Sequence, residues 1–259
     1  MKSVQFSESQ LLTLVAAIAW PFLRVSALFL AIPVFTGHMV PVRVRVMLAA
    51  SVTWLISPML PVMPDAELFS LSGFWIAVQQ FLIGLAIGLV LHLVFEAVVF
   101  GGQSVAYSMG LGFASMVDPQ TGVQVPVIAQ FYQILATLLF LAMDGHLILI
   151  RLLVDSFQML PVGFEGLSAD GMRRLALWAS RLFAAGVLFS LPLVTALLLV
   201  NLGFGVASRA APQLNIFSVG FPVSLGLGLF LIGITVPDVL GLFSGFLDEG
   251  YLLMSAILQ

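Results

Sequence analysis

Residues 74–100 read FWIAVQQFLIGLAIGLVLHLVFEAVVF, a run in which Glu96 is the one formal charge. A helix crosses the hydrocarbon core of a bilayer in about 20 residues, with a range near 17–25, so this run is long enough to span it. Comparable apolar stretches occupy 11–35, 46–63, 125–143, 147–160, 175–203 and 213–236, with a shorter tail at 239–256. The 147–160 stretch is short and holds Arg151 and Asp155, which suits a segment that enters without fully crossing. The ten-residue alternation of a membrane barrel does not appear, and backbone amides in lipid must be satisfied within the segment, so the runs predict helices. The fold expected is an all-α integral membrane protein. It is a bundle of apolar helices and helical hairpins with about six to seven apolar helical segments, forming a single membrane-embedded domain over 1–259.

Composition agrees. The chain is 61% hydrophobic and 8% charged, against roughly 45–50% and about 25% in soluble domains. A formal charge of −3 leaves no basic footprint for nucleic acid. Cysteine is absent, which excludes disulfides, thiolate metal sites and cysteine nucleophiles. Lys2 is the sole lysine, so no Walker A loop can form. The run at 11–35 follows a polar MKSVQFSESQ, carries Pro21 and Arg24 and lacks a clean cleavage site. Being too long for a cleavable signal, it reads as a retained span rather than a signal peptide.

Charges between runs are few. Arg43 and Arg45 lie in the connection 37–45, Arg173 and Arg174 in 161–174, and Asp65 and Glu67 in 64–72. If seven segments cross, the four arginines share one side, which should then be cytoplasmic, with the N-terminus outside; Lys2 and Arg209 oppose this. Gly84 with Gly88 and Gly241 with Gly245 form GxxxG pairs that let helices approach closely. The plain reading is packing inside one bundle, the sharper one contact with a neighbouring subunit.

The stretch 101–122, GGQSVAYSMGLGFASMVDPQTG, resists a helix. Gly101, Gly102, Gly110, Gly112 and Gly122 each cost a helix interior about 1 kcal/mol against alanine, and Pro119 about 3. Yet Asp118 is its one charge, and Met109, Leu111, Phe113, Met116 and Val117 keep it apolar. A glycine-rich non-helical loop over 101–122 is expected, at a depth where irregular backbone needs protein or a water-filled cavity around it. One reading is a buried elbow between hairpins. The other is a flexible apolar plug in a conduit, since apolar constrictions close pores by excluding water and methionine fits irregular shapes.

Arg24, Glu96, Asp144, Arg151, Asp155, Arg181 and Asp238 lie in or beside apolar runs. His92 and Glu96 stand four apart on one helical face, either as a proton-relay pair or as a buried polar pair satisfying each other. Arg24 and Arg181 suit the holding of helix ends better than the lining of a pore. His38, His92 and His146 are too far apart for ligand spacing, so no metal is expected. No GxSxG elbow or other catalytic constellation appears, so neither an enzyme nor a cofactor is expected.

Three blocks together carry a resemblance: RVSALFLAIPVFTGHMVPVRVR at 24–45, GLGFASMVDPQTG at 110–122 and RAAPQLNIFSVGFP at 209–222. The pattern resembles the FliR family of bacterial flagellar biosynthesis proteins, whose relatives are the T components of virulence type III secretion export apparatus. It extends over about residues 10–250. The resemblance implies a non-enzymatic subunit of the flagellar type III export gate in the inner membrane, at the flagellar basal body. There it would assemble with FliP and FliQ, pack against FlhB with FlhA nearby, and pass unfolded flagellar proteins through a central channel.

Carried onto this chain, the family's plug loop falls on 106–122. Phe113 stands at the constriction, and Met109, Gly110, Leu111, Gly112, Ala114, Ser115, Met116, Val117, Asp118 and Pro119 form the rest of the plug. Arg24, Pro41, Arg43 and Arg45, with Arg209, Pro212, Gln213, Asn215 and Phe217, are expected to serve assembly and structure. The resemblance also implies that part of the helical assembly rises out of the bilayer plane, so that crossings are fewer than apolar segments. The rival from another class is a secondary transporter or proton-conducting membrane protein, with His92 and Glu96 at a midplane site.

Overall fold

The computed structural model describes residues 8–33, 40–61, 64, 66–112, 127–210 and 216–259, with side chains described from Val15 in the first helix and from Val219 in the last. Eight α-helices lie among the described residues: α1 Glu8–Ala31, α2 Val42–Ile56, α3 Leu71–Ser108, α4 Val127–Ala142, α5 Gly145–Met159, α6 Ala169–Ala179, α7 Arg181–Ala210 and α8 Ile216–Ala256. A 3-10 turn, Ser57–Met59, follows α2. No strand occurs among the described residues. The protein is therefore an all-α bundle of apolar helices.

Among the described residues, four stretches are long and apolar enough to cross a membrane: Val42–Met59, Leu71–Ser108, Ala169–Ala210 and Val219–Ala256. A fifth is added if the broken pair α4 and α5 counts as one span, and Val15–Ala31 is shorter. These stretches number four or five, against the seven apolar runs read from the sequence. The runs at 213–236 and 239–256 merge into α8, which is 41 residues long and contains Pro222 and Pro237. A proline inside a helix removes one hydrogen bond, a loss that membrane helices accommodate through neighbouring helices and local adjustment.

The chain forms two compact units. The first comprises α1, α2, α3 up to Leu93, α5, α6 and the end of α8 from Asp248. Its interior holds Trp20, Arg24, Leu28, Ile83, Ile87 and Phe157. Here the first GxxxG pair brings α1 and α3 together. A Cβ on Gly84 would strike the carbonyl oxygen of Arg24, and one on Gly88 would lie 2.6 Å from the Cβ of Ala31. The glycines are tolerated in mid-helix because a backbone of α1 occupies the space a side chain would need.

The second unit holds α3 from Val94, α4, α7 and α8 up to Leu247. Phe95 is its hub, edge-on to Phe140 at 5.7 Å and to Phe243 at 5.3 Å between ring centroids. The expected non-helical loop begins later than the glycine count indicates, because Gly101 and Gly102 are helical and α3 continues to Ser108. A Cβ on Gly101 would lie 2.9 Å from the carbonyl of Gly186 on α7, and one on Gly102 2.7 Å from the Cα of Ala129 on α4. The helix-propensity cost of two glycines, about 1 kcal/mol each, is offset by the close packing of two neighbours on a continuous α3.

Candidate functional site

The glycine-rich segment leaves α3 through a closed helix end. The carbonyl of Val105 accepts the N–H of Met109, that of Tyr107 the N–H of Gly110, and that of Ala106 the N–H of Leu111, each at 3.0 Å. Gly110 has φ +86°, a left-handed conformation that glycine adopts without steric cost. The crossed pair of bonds from Gly110 and Leu111 is the Schellman arrangement, which ends a helix while satisfying its carbonyls. The carbonyl of Ser108 receives the Nδ2 of Asn201, on α7, at 3.3 Å. The Oδ1 of Asn201 in turn accepts from the Ser224 hydroxyl, on α8, at 3.0 Å. Every carbonyl of the final turn, 105–108, thereby has a donor.

Side chains seat the same turn. Met109 is fully buried and lies so close to α8 that a Cβ on Gly228 would stand 2.6–2.8 Å from its Cγ, Sδ and Cε atoms. A Cβ on Gly110 would meet the Phe221 ring at 3.2 Å, and one on Gly112 the Tyr107 ring at 2.9 Å. Leu111 and Gly112 are half-buried. Of the expected plug residues, Phe113, Ala114, Ser115, Met116, Val117, Asp118 and Pro119 lie outside the described residues.

A second polar centre surrounds Arg24, which is wholly buried. Its Nε donates to Gln80 Oε1 at 2.9 Å, and its Nη1 to the Ser156 carbonyl at 2.9 Å and the Ser156 hydroxyl at 3.2 Å. Its Nη2 donates to the Leu160 carbonyl at 2.8 Å, and the guanidinium lies 4.1 Å from the centre of the Phe157 ring. The two carbonyls belong to the C-terminal end of α5, where the helix dipole is negative; that of Ser156 also accepts the Leu160 N–H at 3.0 Å. Arg24 thus draws α1, α3 and α5 together with no carboxylate among these contacts.

The other singled-out residues are dispersed. Pro41 precedes α2 with φ −57° and ψ 145° and makes no side-chain cap. Arg45 reaches back with Nε and Nη2 to the Val40 carbonyl at 3.3 and 3.1 Å, while Arg43 is exposed. Arg209 is exposed in the last turn of α7, where a cation suits the dipole. Pro212, Gln213 and Asn215 lie outside the described residues, as does the side chain of Phe217. His92 and Glu96 stand one turn apart on α3, each half-buried. Among the described residues no three His, Asp or Glu side chains gather as metal ligands.

Sequence reasoning did not single out Asn201, Ser224 or Gly228, nor give a role to Phe221. Asn201 did carry a signal, as an amide inside the apolar run 175–203, where a polar group tends to mark a helix-to-helix hydrogen bond.

The family described as "Bacterial export proteins, family 1" matches residues 15–250. The "Flagellar biosynthetic protein FliR" of Escherichia coli (strain K12) is 40% identical over 256 residues, covering 99% of this chain and 98% of that protein. The protein of the same name from Pectobacterium carotovorum subsp. carotovorum is 39% identical, over 90% of this chain and 88% of its own. That from Bacillus subtilis (strain 168) is 31% identical, over 82% of each. Matched by the family over residues 15–250 and 40% identical over nearly its whole length to a protein of that name, the chain belongs to the FliR family of bacterial export proteins.

Proposed function

We propose that this chain is a component of flagellar protein export, and more specifically a subunit of the type III export gate in the bacterial inner membrane. With FliP and FliQ it forms the channel that passes unfolded flagellar proteins, FlhB packs against that assembly, and FlhA lies nearby in the basal body. The segment from Met109 through Pro119 is the plug of that channel. Family membership supports the setting. The single observation that carries the plug is the closed end of α3: the helix stops at a left-handed Gly110 with its last carbonyls satisfied. The end of α3 is closed by residues up to Leu111 and needs no backbone hydrogen bond from the chain that follows.

The chemistry of the segment suits the task. A seal must hold back ions yet yield to many different unfolded chains, and an apolar stretch rich in glycine and methionine excludes water without selecting by charge. Deleting 110–116, or replacing Phe113→Gly, is expected to leave assembly intact and raise the conductance of the inner membrane to small ions. Assembled complexes with the deletion and unchanged conductance would refute the plug.

A further inference from the structure

We propose that the apolar groove between α3 and α6 is a phospholipid site, with one acyl chain lying in the groove and the lipid phosphate on Arg173. Both helices belong to the first compact unit over the residues concerned. Leu82, Leu85, Ala86 and Leu89 form the α3 wall of a cavity of about 280 Å³, and Met172 and Leu175 form the α6 wall. The α3 residues repeat at i, i+3, i+4 and i+7, on the face opposite Gly84 and Gly88, whose space α1 occupies. Gln79, also in the lining, packs against the chain before α6, its side-chain oxygen filling the space a Cβ on Gly166 would need. Leu82, Leu89 and Met172 remain exposed, so the groove is open to its surroundings.

Lipid tails are as apolar as leucine, so leucines alone do not choose an occupant; charge at the rim does. The Ser168 hydroxyl accepts the Gly171 N–H at 2.9 Å and starts α6. The helix then places Met172 and Leu175 in the groove and leaves Arg173 and Arg174 exposed. Apolar residues on one side of a short helix and arginines on the other suit the boundary between headgroups and acyl chains. Arg174 is already engaged, its Nε donating to Asp170 Oδ2 at 2.7 Å. Arg173, next to Met172, has no hydrogen-bond or ion-pair partner among the described residues. An unmatched guanidinium beside an apolar groove is complementary to a molecule that joins an anion to a hydrocarbon body. A phospholipid supplies both, and its phosphate accepts two parallel N–H bonds from an arginine.

The test counts phospholipid retained by the protein, extracted in mild detergent with the assembly it belongs to, by native mass spectrometry. The parental assembly is expected to keep a phospholipid whose occupancy falls roughly fivefold in Arg173→Gln. Leu82→Gln, which puts an amide into the groove, should lower occupancy in the same direction. Arg151→Gln removes an exposed arginine of α5 outside the groove and should leave occupancy at the parental level. Because Arg173 holds no other group, its loss should not change the melting temperature.

Parental occupancy in both Arg173→Gln and Leu82→Gln would overturn the site. Equal losses in Arg173→Gln and Arg151→Gln would reduce it to the general attraction of cations for headgroups, against the proposal. If Leu82→Gln fails to assemble, the contrast between the two arginine variants decides. A photoreactive benzoylphenylalanine in place of Leu82 tests the occupant directly in native membranes. A phospholipid adduct that Arg173→Gln diminishes supports the site, whereas an adduct to a neighbouring protein chain would make the groove a subunit interface and sink it.

Discussion

Arg24 fastens three helices by itself. Hydrogen bonds from a charged donor contribute roughly 1.5–3 kcal/mol each, and truncation also leaves buried acceptors unmet. Arg24→Ala is therefore expected to destabilise the chain by at least about 3 kcal/mol, read as a lower melting temperature in detergent and reduced accumulation in membranes. Arg24→Lys should recover little, since one ammonium on a flexible stem cannot address Gln80, Ser156 and Leu160 as a planar fork does. A lysine variant with parental stability would count against the fork as the active feature. The residue itself was conspicuous in the sequence as a charge in an apolar run. Its partners were not, because they lie 56, 132 and 136 positions away and are ordinary amide, hydroxyl and carbonyl groups that no local pattern distinguishes.

At the scale of elements, glycine content alone misplaced one boundary. Gly101 and Gly102 read as helix breakers, yet α4 and α7 press against them and keep α3 continuous. Gly110, eight residues later, is the glycine at positive φ among the described residues, and spacing cannot tell a glycine that ends a helix from one that admits a neighbour. The two GxxxG pairs divide in the same way. Gly84→Leu is expected to prevent α1 from packing and to lower the melting temperature sharply. Gly241→Leu, where nothing lies within 4 Å of the added carbon, should leave this chain's own stability within about 0.5 kcal/mol of the parent, as for a surface site. The break between α4 and α5 sits at Asp144, which has φ 55° without being glycine. Asp144→Gly should be neutral or stabilising, and Asp144→Val should cost about 1–2 kcal/mol, measured by thermal unfolding of the purified chain.

For the whole molecule, fold class was legible because hydropathy reports the solvent a helix faces, and these helices expose large apolar side chains such as Leu198, Leu199 and Leu202, each 64% accessible. Span number was not legible, because length along the sequence does not say how much of a helix lies within lipid. From Leu71 to Tyr107, α3 extends about 54 Å at 1.5 Å per residue, against a hydrocarbon core of about 30 Å. Fitting both ends inside would need a tilt beyond the usual range of about 0–40°. In this cysteine-free chain, at least one of Leu71→Cys and Tyr107→Cys is therefore expected to react with a water-soluble maleimide in the assembled membrane. Protection of both would mean that partners or lipid enclose the entire rod.

The fastening at Arg24 also has a consequence for operation in acid. Each group it reaches (an amide, a hydroxyl, two carbonyls and a phenyl ring) carries no carboxylate proton to gain. Lowering the pH toward about 4, where carboxylates neutralise, deprives it of no counter-charge. The knot at Arg24 would stay tied over that whole range of acidity.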